Sequence, residues 1–190
     1  HRLNEGIELR QAGIDAPILL MGYTPPGGAE AVVRWQLTPS LMTAEFAQAL
    51  SVQAGLNRQV VPVHVKIDTG MSRYGLMPDE VLEFLHFLKT LPGIRLEGMF
   101  THFATADSLD QTWMRKQLAV FNEVIASASA AGMEIPLLHA ANSAAAMILR
   151  EAHFHAIRPG IAMYGLDPSS EWPPVFEIEP ALTLKSLVAR

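Results

Sequence analysis

The chain repeats one plan, a short apolar run that stops abruptly at polar and charged residues. Its clearest form is Val61-Pro62-Val63-His64-Val65, which leads straight into Lys66-Ile67-Asp68-Thr69-Gly70-Met71-Ser72-Arg73-Tyr74-Gly75. The same plan returns at Thr101-His102-Phe103-Ala104-Thr105-Ala106-Asp107, at His139-Ala140-Ala141-Asn142-Ser143-Ala144 and at Arg158-Pro159-Gly160-Ile161-Ala162-Met163-Tyr164-Gly165. Runs this short and apolar, bounded by turn residues, read as buried strands. Charge is costly inside such a strand, so it gathers at the mouth. Four polar strand ends on one chain point to a single active-site face.

Helical stretches fill the intervals. Asn4 to Ala12 reads as a helix tail with Ile7 and Leu9 as apolar markers and Gly13 as its stop. Thr43 to Ala54, with Phe46, Leu50 and Val52, predicts a second helix. Val81, Leu85 and Leu88 mark a third, started at Pro78 and ended by Pro92-Gly93. Met114, Leu118, Phe121, Ile125 and Ala128 mark a fourth, ending at Gly132. The strands expected between them are 17–22, 35–39, 61–68, 96–102, 136–141 and 156–161, with a turn at Pro25-Pro26-Gly27-Gly28. Ala12-Gly13-Ile14-Asp15-Ala16-Pro17 and Ala131-Gly132-Met133-Glu134-Ile135-Pro136 repeat one helix-to-strand junction. This alternation predicts a parallel sheet with helices outside it. Pro168 to Pro180 reads as a linker, and 181–188 alternates like a strand that opens another domain. The expected division is therefore a barrel part at 1–167, then linker and first strand of a further domain at 168–190.

Composition narrows the class. A chain of 190 residues, 49% hydrophobic and 17% charged, has enough apolar residues for one substantial core. A net charge of −5 argues against nucleic acid as a partner. No run of 18 apolar residues occurs, so no membrane partner is expected. With no cysteine, disulfides and thiol catalysis are excluded, and a cytoplasmic location is expected. The first residue is His and not Met, which suggests a piece of a longer protein.

The strand-end motifs carry the candidate chemistry, and each admits a plain structural alternative. Asn142-Ser143 offers an amide, a hydroxyl and backbone N–H groups to an anion, or merely caps the next helix. Gly160-Ile161 lets backbone approach an anion closely. Arg158 sits between apolar neighbours or is a surface arginine. His102 is a site residue or a satisfied core histidine. Lys66 works at the site or pairs with Asp68. Neither His102 nor His139 has partners at metal-ligand spacing, so no metal is expected.

In order and wording these four motifs resemble the N-terminal barrel domain of the alanine racemase family, fold-type III enzymes that use pyridoxal 5'-phosphate (PLP). The resemblance covers nearly the whole chain. It implies a (β/α)8 TIM-barrel fold, here incomplete with about six of eight βα units, and interconversion of L- and D-alanine for peptidoglycan by a cytoplasmic homodimer. By resemblance Arg158 faces the pyridine nitrogen of PLP. A guanidinium keeps its protons and leaves that nitrogen bare. Arg73 contacts the cofactor's phenolic oxygen and the substrate carboxylate, which a guanidinium fork suits. The lysine matching Lys66 is often carbamylated in that family, and as an anion it then supports Arg73. His102 orients Arg158 and a tyrosine of another domain, with His139 in support. Asn142, Ser143, Gly160, Ile161 and Met21 complete the cofactor contacts. Ser72 replaces the family's usual glycine.

Two family groups have no counterpart here. The lysine that bonds PLP lies in a segment before His1, and the tyrosine base in one after Arg190. Lys66, Lys89, Lys116 and Lys185 match neither position, so the 190 residues alone are expected to be inactive. Two other readings stay open: a serine or broad-specificity racemase of the same fold, and a non-enzymatic PLP-binding barrel protein. The linker and the strand at 181–188 argue against the latter. A sheet with about six strands is also expected to leave a gap between 17–22 and 156–161, where unpaired edges invite association.

Overall fold

A computed structural model describes residues 1–173, 175–181, 183 and 185. Five parallel strands follow one another across one sheet: β1 (Leu19–Leu20), β2 (Thr38–Leu41), β3 (Val61–Lys66), β4 (Ile94–Phe100) and β5 (Leu137–His139). Their order in the sheet is their order in the chain. Six α-helices accompany them: α1 (Leu3–Gln11), α2 (Ala29–Arg34), α3 (Ala44–Leu56), α4 (Val81–Thr90), α5 (Thr112–Ala130) and α6 (Ser143–Ile148). Among the described residues no helix is long and apolar enough to cross a membrane.

β2 and β3 are buried almost throughout, while β4 and β5 are buried towards their C-terminal ends. Val61, Val63, Val65, Leu41, Met99 and Phe100 are all in the core. Each helix covers the sheet with one stripe. On α4 the stripe is Val81, Phe84, Leu85 and Leu88, and on α5 it is Met114, Leu118, Phe121, Val124 and Ala128. These positions recur three and four residues apart, so one face points inward. α1 lies close because Gly6 has no side chain. A Cβ there would stand 2.9 Å from Leu20 and 3.2 Å from Leu37.

Several expectations need correction. The sixth strand, 156–161, shrinks to a single bridge between Arg158 and Asn142. Pro159 has no N–H to continue a ladder, and Ile161–Tyr164 winds into a 3₁₀ turn closed by Gly165 at φ 75°. The strand expected at 35–39 begins at Thr38 instead. Before it lies α2, hidden behind the Pro-Gly-Gly turn signal; Ala29, Val32 and Val33 are its buried face. The regular part of α4 begins at Val81; the turn 78–80 leads into it, and the Glu80 carboxylate accepts from the Met77 N–H at 2.8 Å as a capping contact at a helix start does. Val52 and Leu9 are exposed, not core. Most of the strand expected at 181–188 lies outside the described residues. No ladder joins β1 to the Asn142–Arg158 bridge, so the sheet is open between them.

Candidate active site

All strands are parallel, so their C-terminal ends lie at one end of the sheet, where this class of fold gathers reactive groups. β3 ends at Lys66, whose side chain is buried. The loop after it carries Arg73. Asp68 builds that loop: its Oδ1 accepts from the N–H groups of Gly70, Met71 and Ser72 at 2.9, 2.9 and 3.0 Å. The loop returns to the strand through Asp68 N–H to Leu76 carbonyl and Leu76 N–H to Lys66 carbonyl, both 2.9 Å. This close return requires Gly75, because a Cβ there would stand 2.5 Å from the Asp68 nitrogen.

β4 leads to Thr101 and His102, and β5 to Asn142 and Ser143. Asn142 caps α6 by accepting from the Ala145 N–H at 3.0 Å. Ser143 Oγ accepts from the N–H groups of Gly160 and Ala162 at 2.8 and 3.4 Å. The hydroxyl hydrogen is left to donate elsewhere. Arg158 is pinned by three bonds. It donates to His139 Nδ1 at 2.7 Å, to the Thr101 carbonyl at 2.6 Å and to the Ala140 carbonyl at 2.8 Å. Its guanidinium lies 5.3 Å from the centre of the Phe100 ring, which stacks on His139 at 4.7 Å.

These groups surround a cavity of about 510 Å³. Lys66, Arg73, His102, Asn142, Ser143, Arg158, Gly160, Ile161 and Met21 all line it, so each candidate residue read from the sequence lies at one place. The volume is in the range of small-molecule sites. Its charge is mainly positive: Lys66, Arg73 and Arg158 face one acidic residue, Asp107. Lys66 makes no ion pair with Asp68 among the described residues. Burial, then Arg73 and Arg158, push its ammonium below the usual range. His102 is pushed down to about 4, and His139 to about 3, first by burial and then by Arg158. Both rings are therefore neutral near pH 7. Burial lowers Arg158 to about 10, which still leaves it charged there.

The resemblance gives His102 the task of orienting Arg158. Among the described residues the side chain bonded to Arg158 is His139 instead, since the β5 end brings that ring alongside the guanidinium. Sequence reasoning also missed Phe100 and Gln117. Gln117 is fully buried on α5 and ties two loops together. Its Oε1 accepts from the Ala104 N–H at 2.9 Å, and its Nε2 donates to the His102 carbonyl at 3.1 Å and to Thr69 Oγ1 at 3.4 Å. The signal was available, because Gln117 is a polar residue on the apolar stripe between Met114 and Leu118.

A family model described as alanine racemase, N-terminal domain, matches residues 1–168. The chain belongs to the alanine racemase N-terminal domain family. An alanine racemase of Carboxydothermus hydrogenoformans is 44% identical over 189 residues, covering 99% of this chain and 51% of that protein. One from Desulfovibrio desulfuricans is 43% identical over 187 residues, 98% of this chain and 50% of that protein. Among solved structures, Clostridium difficile 630 alanine racemase in complex with cycloserine superposes with a TM-score of 0.91 at 39% identity, over 95% of this chain and 50% of that one. The Bacillus anthracis alanine racemase with bound L-Ala-P gives 0.86 at 35% identity, over 94% and 47%. The chain thus spans about half the length of the curated alanine racemases it matches. Its five strands and outer helices are part of the N-terminal barrel of that family, an incomplete TIM-type barrel.

Proposed function

We propose that this chain is the N-terminal part of an alanine racemase, an enzyme that interconverts L- and D-alanine with PLP. The observation that carries the reading is the convergence of Lys66, Arg73, His102, Ser143 and Arg158 on one mainly cationic cavity at the strand ends. The donor set fits PLP. A phosphate finds a free hydroxyl hydrogen on Ser143, and Gly160 presents open space, since a Cβ there would meet nothing within 4 Å. Asn142, Ile161 and Met21 line the same cavity.

PLP, when bound, supplies an electron sink that makes the Cα–H bond of alanine acidic. Arg158 would face the ring nitrogen with donors only, and as a guanidinium charged near pH 7 it would keep its protons and leave that nitrogen bare. The sink is thereby kept weak, which limits side reactions. Arg73, on the same cavity wall, would hold the phenolic oxygen and the substrate carboxylate with its fork. His102, neutral and half-buried, accepts or donates one hydrogen bond without adding charge. Carbamylation would turn Lys66, a buried cation between two arginines, into an anion that steadies Arg73. The depressed ammonium favours that change, because only the neutral amine reacts.

The same reading divides the chain into a barrel part at 1–167 and a linker with the first strand of a second domain at 168–190. It makes the working protein a cytoplasmic homodimer serving cell-wall peptidoglycan. The test is a full-length racemase carrying these residues, purified with PLP and given L-alanine. Conversion to D-alanine, lost in Arg158→Ala and weakened by lower PLP affinity in Ser143→Ala, is expected. A full-length protein that binds PLP through other residues, or leaves alanine untouched, overturns it.

A further inference from the structure

We propose that Glu97 and His64, neither of which lines the cavity, are positioning residues for Arg158. They act through a one-way chain of hydrogen bonds that fixes His139 as an acceptor. The proposal rests on the reading of Arg158 as the group that faces the PLP ring.

The geometry dictates the direction. A guanidinium has donors only, so His139 Nδ1, 2.7 Å from Arg158 Nη1, must accept. The proton of the neutral His139 ring is then on Nε2. That atom lies 2.8 Å from His64 Nδ1, which must accept in turn. The proton of His64 is therefore on its own Nε2, and Nε2 lies 3.5 Å from Glu97 Oε2. Every N–H in the series points away from the cavity, and a carboxylate ends it. Arg95 holds the other carboxylate oxygen at 3.1 Å. Glu97 belongs to a second cavity of about 660 Å³ around the N-terminal strand ends, with Arg10, Asp15 and Arg95. The chain thus runs along the inside of the sheet from one end to the other.

The backbone is shaped to admit it. The β3–β4 register slips between Val63 and His64, and the residue opposite His64 is Gly98. A Cβ on Gly98 would stand 2.5 Å from His64 Nδ1 and 2.8 Å from the Leu137 carbonyl, and closer still to His64 Cε1. The bulge and the glycine together let the imidazole lie across β4 and reach His139 on β5. Burial holds His64 below the ordinary histidine range against the opposing pull of Glu97. The groups that face it are Glu97 on β4, His139 on β5 and Arg158. A second proton on His64 would set two N–H groups against each other and force His139 to turn its acceptor away from Arg158.

The consequence for Arg158 is that three of its five N–H groups are committed in fixed directions, to His139, Thr101 and Ala140. Without a fixed acceptor on His139 the fork can swing.

The test reads proton positions directly. In the uniformly ¹⁵N-labelled chain at pH 7, long-range imidazole correlations should show His64 and His139 both neutral, with bare Nδ1 and protonated Nε2. A proton on Nδ1 of His139, or a cationic ring, overturns the proposal. In His64→Leu the His139 Nε2–H loses its acceptor, and that buried unpaired donor competes with the Arg158 bond, so the tautomer should become mixed; His64→Gln, whose amide both accepts and donates, should restore Nε2–H. Where His64→Leu does not fold, Glu97→Leu, a change at a partly exposed side chain, carries the same readout on both rings. In a full-length racemase with bound PLP, His64→Leu should lower kcat about tenfold with the KM for alanine unchanged, and His64→Gln should recover most of it. An unmoved His139 tautomer in His64→Leu sinks the proposal whatever the activity does. Failure of the wild type to bind PLP sinks the racemase reading, while the tautomer measurement still decides the chain.

Discussion

At the scale of single residues, two neighbouring loop positions respond oppositely to substitution. Ser72 holds φ 57°, a left-handed conformation that costs a residue with a Cβ about 1 kcal/mol. Ser72→Gly removes that strain but adds about 0.5–1 kcal/mol of backbone entropy to the unfolded chain. The two effects nearly cancel, so unfolding free energies from urea titration of Ser72→Gly and wild type should agree within about 0.5 kcal/mol. Serine in place of the family's glycine is thus tolerated. At Gly75 (φ 137°) the Cβ has no room against the Asp68 backbone, and Gly75→Ala should lower stability by about 2 kcal/mol or more, read from the same titration. The histidines predict a pH dependence. In the folded chain His102 and His139 resist protonation until about 4 and 3, while in the unfolded chain both take protons near 6.5. The unfolded state therefore binds more protons below 6.5. Their stabilising contribution is complete above that pH and is lost as pH falls toward 4 and then 3. Melting temperature should drop on acidification from pH 7 to 5, and His139→Gln should flatten the drop. An equal slope in wild type and variant would contradict the assignment.

Among the elements, α5 does more than cover the sheet. Gln117 joins the loop after β3 to the loop after β4, so Gln117→Leu leaves the Ala104 N–H and the His102 carbonyl without their partner. The expected cost is about 1–3 kcal/mol, with faster hydrogen exchange at the Ala104 amide while β3 amides stay protected. Exchange unchanged at Ala104 would show that the loops hold themselves. Four helices, α1, α3, α4 and α5, and the strands expected at 61–68 and 96–102 and found at Val61–Lys66 and Ile94–Phe100 were legible because periodicity and burial agree there. Val81, Leu85 and Leu88 are spaced as a helix and buried as one. α2 was not legible, since six residues behind a Pro-Gly-Gly turn give too little periodicity to outweigh the turn. The strand at 156–161 was misread because apolar neighbours of a proline look extended, while the ladder fails without its N–H. At the site, the residues on the cavity wall were readable from motifs at strand ends. The network behind them was not, because Glu97 meets His64, and His64 meets His139, only through strand pairing at separations of tens of residues, and nothing local in the sequence encodes those encounters.

For the molecule as a whole, the open sheet and the apolar surface beside the site have measurable consequences. Ile161, Met163, Tyr164, Leu166, Val175 and Phe176 are each about half exposed. Together with the outer edge of β1, they should make the 190-residue chain self-associate, so its sedimentation should depend on concentration at micromolar levels. A monomer across that range would contradict this. The same 190 residues alone should show no turnover of L-alanine, because no lysine in them matches the family position that bonds PLP. Measured conversion by the purified chain would refute it. The sheet order carries one more consequence. Each strand pairs with the strand made immediately before it, and none has to wait for a later one to be inserted between. Partners such as Leu19 and Thr38, or Gly98 and Leu137, are separated by one crossover and no other strand. A ribosome could therefore release this half-barrel already built, strand after strand in the order of translation, so that nascent chains arrested beyond β5 should already resist protease.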